Sequence, residues 1–147
     1  MTNNNIVSSK KTRTGETIVG HIYPGSDLIP SIHKICEKND IENGYISMLI
    51  GSLKKVSFVY AKTEENSKIG IRYSEPVKKE GPFEFLSGQG LIGRKDDGNI
   101  VVHLHGMFSN EKMEIQGGHL IERGNIVLAT IEIVINRLEN INLIKSY

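Results

Sequence analysis

The sequence predicts an α+β domain, an antiparallel sheet carrying one main helix. Three observations lead there. From Gly44 onward the chain breaks into short apolar runs punctuated by glycine and turn residues, the texture of strands. One stretch, after Pro24-Gly25, repeats its apolar residues at helical spacing. Neither a repeat nor a linker divides the 147 residues, and one domain of that length buries roughly two thirds of its unfolded surface without disulfides.

Residues 1–14 are polar and read as a flexible N-terminal segment, 15–136 as the domain and 137–147 as a C-terminal tail. The first strand is expected at 17–23, stopped by the Pro24-Gly25 turn. In the helix that follows, Ser26 or Asp27 can cap, and Pro30 falls in the first turn, where its missing N–H is harmless. Leu28, Ile32, Ile35 and Cys36 make one apolar stripe, Lys38 suits the C-terminal end, and Asn39-Asp40 can stop the helix. Strands are expected at 44–50, 54–61, 69–74 and 83–92; Val56, Phe58 and Tyr60 alternate with Lys55, Ser57 and Val59, as in a half-buried strand. The Asp97-Gly98 turn leads into a strand at 99–108. Segments 113–121 and 125–135 complete the set, the last with Val127, Ala129, Ile131, Ile133 and Ile135 in a row for the core.

Within 99–108, His103 and His105 project from one face while Val102 and Leu104 enter the other. His119 lies fourteen residues further on, within Gly117-Gly118-His119-Leu120. Three neutral imidazoles converging on one point suit a divalent metal such as zinc, with a fourth position open to water or substrate. Loop parity decides whether they converge. A two-residue loop at Asn110-Glu111 pairs His105 with Gln116 and turns His119 away, whereas a loop over 110–112 pairs His103 with His119, pairs His105 with Gly117, and puts all three on one face. A bulge at Gly117-Gly118 would rescue the first case. The residues alone leave a second reading open, histidines that hydrogen-bond across a polar sheet face. His33 lies off the helix's apolar stripe and reads as a solvated surface residue; His21 reads as surface or core-edge.

Composition excludes several classes. Hydrophobic residues at 38% and charged residues at 24% are wrong for a disordered or collagenous chain. A formal net charge of +1 gives no broad field for a phosphate backbone. Cys36 is the single cysteine, so no internal disulfide or thiolate metal site is expected, and a reducing compartment is. The polar start lacks the apolar run that secretion requires, and the longest apolar stretch, 126–135, is about half a bilayer span. A cytoplasmic protein with no membrane partner is expected.

Six segments in register carry a resemblance: Tyr23-Pro24-Gly25-Ser26-Asp27-Leu28, Ile50-Gly51-Ser52-Leu53, Phe83-Glu84-Phe85-Leu86-Ser87-Gly88, His103-Leu104-His105, Gly117-Gly118-His119-Leu120 and Thr130-Ile131-Glu132-Ile133. Over roughly residues 15–136 the chain resembles the plant and prokaryote conserved (PPC) domain, in its prokaryotic stand-alone form. The resemblance implies an α+β domain that assembles as a homotrimer, with one zinc per subunit on His103, His105 and His119. Val101 and Met107, flanking the histidines, are then placed to line a pocket or a subunit seam. Prokaryotic members carry a predicted DNA-binding label, so DNA or a regulatory role is an implied partner class. The Arg-Gly-Arg-Pro arm of plant members is absent, and the cations occur in pairs such as Lys54-Lys55, Lys78-Lys79 and Arg94-Lys95, among acids.

The family is similar in turn to acetolactate decarboxylase, which implies the alternative of a zinc-dependent lyase-like enzyme or small-acid binder using the open metal position. Such chemistry wants a carboxylate for proton transfer and a cation for the substrate acid. Glu84 and Glu132, each interrupting an apolar strand, are the candidate carboxylates; Arg72 and Arg123 are the candidate cations. A carboxylate that fixes a histidine tautomer, or simply an exposed strand position, is the plainer role for the glutamates.

Overall fold

A computed structural model describes residues 7–144. Strand β1 (Arg13–Ile22) leads to helix α1 (Leu28–Lys38), then β2 (Gly44–Val59), the short β3 (Ala61–Thr63) and β4 (Ile71–Tyr73), the long β5 (Val77–Arg94), β6 (Ile100–Ser109), β7 (Ile115–Leu120) and β8 (Val127–Glu139). The main sheet runs β1-β8-β2-β5-β6-β7, with its pairings antiparallel, and β7 also pairs with the far end of β2. Strands β2, β5, β6 and β7 therefore close on one another. β3 and β4 form a separate hairpin.

The helix forms where its stripe predicts, with Leu28, Ile29, Ile32 and Cys36 buried; Ile35 is only partly so. Asp27 sits at the N-cap but makes no side-chain cap bond. Its carboxylate instead accepts the backbone N–H groups of Gly124 and Asn125 at 2.9 and 3.1 Å, tying the β7–β8 loop to the start of the helix. At the other end the Asn39 side chain donates to the Ile35 carbonyl, and Asp40 adopts φ 52, ending the helix. The helix residues join Ile22, Ile46, Leu49, Ile133 and Ile135 in one core, where burial pushes the Cys36 thiol up to about 11 and leaves it unreactive. Inside the closed strands, Phe108 packs edge-on to Phe58 and Phe83 at 5.3 and 5.2 Å between ring centroids.

The sequence differs from the fold in instructive places. Segments 44–50 and 54–61 are one strand, because Gly51, at φ 145, lets β2 swerve without breaking; a Cβ there would lie 2.1 Å from the Thr130 carbonyl oxygen. Ala129 is exposed, not core, because β8 advances four residues from Val127 to Ile131 while β2 advances only two between their partners Leu53 and Gly51. The expected alternation at 55–60 fails as well. Ser57 and Val59 are buried with Val56 and Phe58, with the β7–β8 loop lying over Ser57 and β7 pairing beside Val59, and Tyr60 lies outside the strand. The expected strand at 69–74 shrinks to the three residues of β4.

Asn125 is what holds that covering loop. Fully buried, it accepts the Ser57 N–H at 2.9 Å and donates to the Ile121 carbonyl at 2.8 Å. Replacing it strands both groups, so Asn125→Leu is expected to lower the unfolding free energy in urea titrations by about 2–4 kcal/mol; a loss under about 0.5 kcal/mol would contradict this role.

Candidate metal centre

β6 shows the period of two that its sequence predicts: Val102, Leu104, Gly106 and Phe108 are buried, whereas His103, His105 and Met107 are exposed on the outer face. β7 returns beside it in a register that pairs His105 with His119, Gly106 with Gly118 and Met107 with Gly117. Loop parity is odd, as convergence requires, but the loop is longer than expected. It spans 110–114, with Ser109 opposite Ile115. The Asn110 side chain lengthens it by accepting the N–H groups of Lys112 and Glu114 at 2.9 and 3.0 Å, and Met113 takes the left-handed φ of 61. His119 consequently faces His105, not His103, and Gly117 faces Met107. No bulge occurs at Gly117-Gly118. The glycines serve close approach instead: a Cβ on Gly117 would lie 2.4 Å from the Gly106 carbonyl oxygen, and one on Gly118 2.5 Å from that of Val59. They let β7 wedge between β6 and β2, where His119 pairs with both His105 and Val59.

The result brings the three imidazoles together. Ring centroids lie 5.0 Å apart for His103 and His105, 4.8 Å for His103 and His119, and 5.2 Å for His105 and His119. One ligand nitrogen from each falls within 4.8 Å of the others, and the Nε2 atoms of His103 and His105 are 3.1 Å apart. Nitrogens on one tetrahedral zinc sit about 3.3 Å apart. Small rotations of two exposed rings and one half-buried ring close that difference. Among the described residues, His119 Nδ1 is also buried without a hydrogen-bond partner. The donor set fits a borderline-soft divalent ion.

Electrostatics point the same way. Burial, and after it the neighbouring His103, hold the His105 imidazole below the usual histidine range; burial, then His103 and His105, do the same to His119. Both rings are thus neutral, ligand-competent bases at pH 7. Among the described residues the group contains no carboxylate.

Around the triad lie residues that sequence reasoning missed. Gln89 and Leu91 on β5 pair with His105 and His103, and Tyr73 on β4 stacks against His119 at 5.6 Å between centroids. An open hollow of about 670 Å³ beside His103 and His105 is lined by Tyr45, Ser47 and Gln89 among others. A second, of about 410 Å³, borders His103 and His119 and includes Val101; a third, of about 260 Å³, includes Met107. The register of the β5–β6 hairpin would have found Gln89 and Leu91. A two-residue turn on Asp97-Gly98 suggests the wrong one, since the true loop spans 95–99.

The two carboxylate candidates lie well away from the triad. Glu84 is exposed on the outer face opposite Ser109, about 16 Å along β5 from Gln89 at ~3.3 Å per residue. Glu132 lies on β8 between His21 and Ile50, about 14 Å across three strand spacings. Arg72 is paired with Glu64 at 3.4 Å, and Arg123 is exposed in the β7–β8 loop. His21 is exposed and bonds Thr130 Oγ1 at 2.9 Å, whereas His33 is half-buried beside Glu122 at 3.3 Å, less solvated than its position off the stripe suggests.

Two outcomes follow from this geometry. Gly118→Val forces β7 away from β2 and is expected to cost about 2–4 kcal/mol in urea unfolding; a neutral result would show that the strand has room. Because the folded values of His105 and His119 are lowered, the metal-free protein keeps the stability of their neutral state above about pH 6.5 and loses it as pH falls through those folded values. The urea midpoint is therefore expected to drop between pH 7 and pH 5 by more than that of a His105→Gln/His119→Gln variant, and equal drops would refute the assignment.

Comparison with known proteins completes the picture. A crystal structure of a plant- and prokaryote-conserved protein of Pyrococcus horikoshii is similar at 27% identity, with 92% of this chain and 87% of that one covered and a TM-score of 0.76. A metal-containing protein of Archaeoglobus fulgidus is similar at 25% identity, covering 90% and 86% with a TM-score of 0.71. A protein provisionally described as DNA-binding from Bacteroides thetaiotaomicron, at 16% identity, 89% and 86% coverage and a TM-score of 0.70, shares the fold. No curated protein matches the chain. The model of the Plants and Prokaryotes Conserved (PCC, also written PPC) domain matches residues 9–139, and the chain belongs to that family.

Proposed function

We propose that this protein is a metal-binding PPC-domain protein in which His103, His105 and His119 hold one zinc ion per subunit, leaving a coordination position open to a small ligand. The observation that carries this is the gathering of three ligand nitrogens within 4.8 Å on an exposed, hollowed face of the sheet. Structural zinc sites close all four positions with protein ligands, whereas three protein ligands beside open space are the pattern of a site that binds or transforms something. Zinc there would act as a Lewis acid toward an oxygen of the ligand. Gln89, opposite His105, is positioned to hydrogen-bond a polar group of that ligand. The likeness to a metal-containing protein at 25% identity supports the same reading.

Assembly as a homotrimer is part of the proposal. Val19, Ile50, Leu86, Met107 and Leu128 stand exposed on the outer face, apolar side chains that a second copy of the chain could cover. DNA binding is less well supported by the same surface. Lys55, Arg72, Arg94 and Arg137 are each within 2.9–3.5 Å of a glutamate, which blunts the field that a phosphate backbone would meet. No helix among the described residues is long and apolar enough to cross a membrane.

Elemental analysis of tag-free protein, with mass measurement in solution, tests this reading. Close to one zinc per chain in a particle of three chains is expected, with zinc held more weakly, though still taken up on loading, in His119→Gln. Absence of metal from every preparation, including protein incubated with zinc and desalted, would rule the proposal out.

A further inference from the structure

The hollow of about 410 Å³ that borders His103 and His119 differs from its neighbours. Apart from those two histidines, every residue lining it is aliphatic, aromatic or glycine, with Tyr73, Leu91, Val101, Leu143 and Ile144 forming most of the wall. The hollows on the other sides of the triad contain Ser47 and Gln89, or Ser87 and Gln89. Tyr73, Leu91 and Ile144 are also among the large apolar side chains that the chain leaves exposed, and here they meet from three separate segments. Scattered exposed apolar residues need no explanation, but their convergence on a polar centre marks a binding surface.

Charge supplies the other half. Three neutral imidazoles leave a bound divalent ion with its full double charge, and among the described residues no carboxylate joins the group to offset it. An anionic oxygen is the complementary fourth ligand. We infer that the centre takes a monocarboxylate with an apolar tail, its carboxylate on the metal and its tail in the hollow walled by Tyr73, Val101 and Ile144. The inference rests on the zinc reading and adds to it the class of ligand.

Calorimetric titration of the zinc-loaded full-length protein with acetate, butyrate, hexanoate and octanoate tests it. Each methylene entering an apolar site contributes a roughly threefold to fourfold gain in affinity, so Kd is expected to fall by about that factor per added carbon until the hollow is full. Tyr73→Ser and Ile144→Asp, compared at equal measured zinc content, are each expected to flatten the slope, and zinc-free protein is expected to show none. An affinity independent of chain length in zinc-loaded protein overturns the tail subsite while leaving the metal centre standing. So does a slope that persists in both variants or without zinc. Failure to take up zinc at all overturns the metal centre, and the subsite with it.

Discussion

The arrangement depends on β7 being hydrogen-bonded on both sides. His119 is opposite His105 on β6 and opposite Val59 on β2, so its position is fixed by two ladders. Only side-chain-free backbone fits that wedge. Gly117 and Gly118 leave their neighbours' carbonyl oxygens where a Cβ would otherwise stand, and the cost of glycine's lost conformational freedom is offset by the closure of four strands around Phe58, Phe83 and Phe108. A one-residue slip in this register would send His119 to the core side and dissolve the triad.

The outer face is free to carry the histidine triad because the inner face carries stability. Alternation along β6 commits Val102, Leu104 and Phe108 to the core, which frees the intervening positions from packing and allows two histidines there. Partial burial, and after it the neighbouring imidazoles, raises the cost of protonating His105 and His119, so those two rings stay neutral and available as ligands. The apolar residues around them, from Tyr73 on one side to Ile144 on the other, then shape what can approach. Tertiary closure and site chemistry thus share a cause.

Much of this was legible in the sequence wherever a pattern was local. The helix stripe, the alternation of β6 and the shared face of His103 and His105 depend only on neighbours in the chain. So did the family resemblance, carried by segments such as Gly117-Gly118-His119-Leu120. Register was harder. The parity of the β6–β7 loop was readable, but its length was set by the Asn110 side chain, which a count of residues does not show. Gly51 looked like a strand break and is a swerve; Ala129 looked like core and is turned out by an irregularity that only the β2 partner reveals. Tyr73, Leu143 and Ile144 reach the site from segments whose sequence carries no sign of it, because their proximity is a product of the whole topology.

X-ray absorption at the zinc edge of the loaded protein tests the central claim most directly. The account predicts a nearest-neighbour shell of three imidazole nitrogens at about 2.0–2.1 Å completed by oxygen, with one imidazole lost in His119→Gln. A shell without imidazole scattering, or one that His119→Gln leaves unchanged, would contradict it.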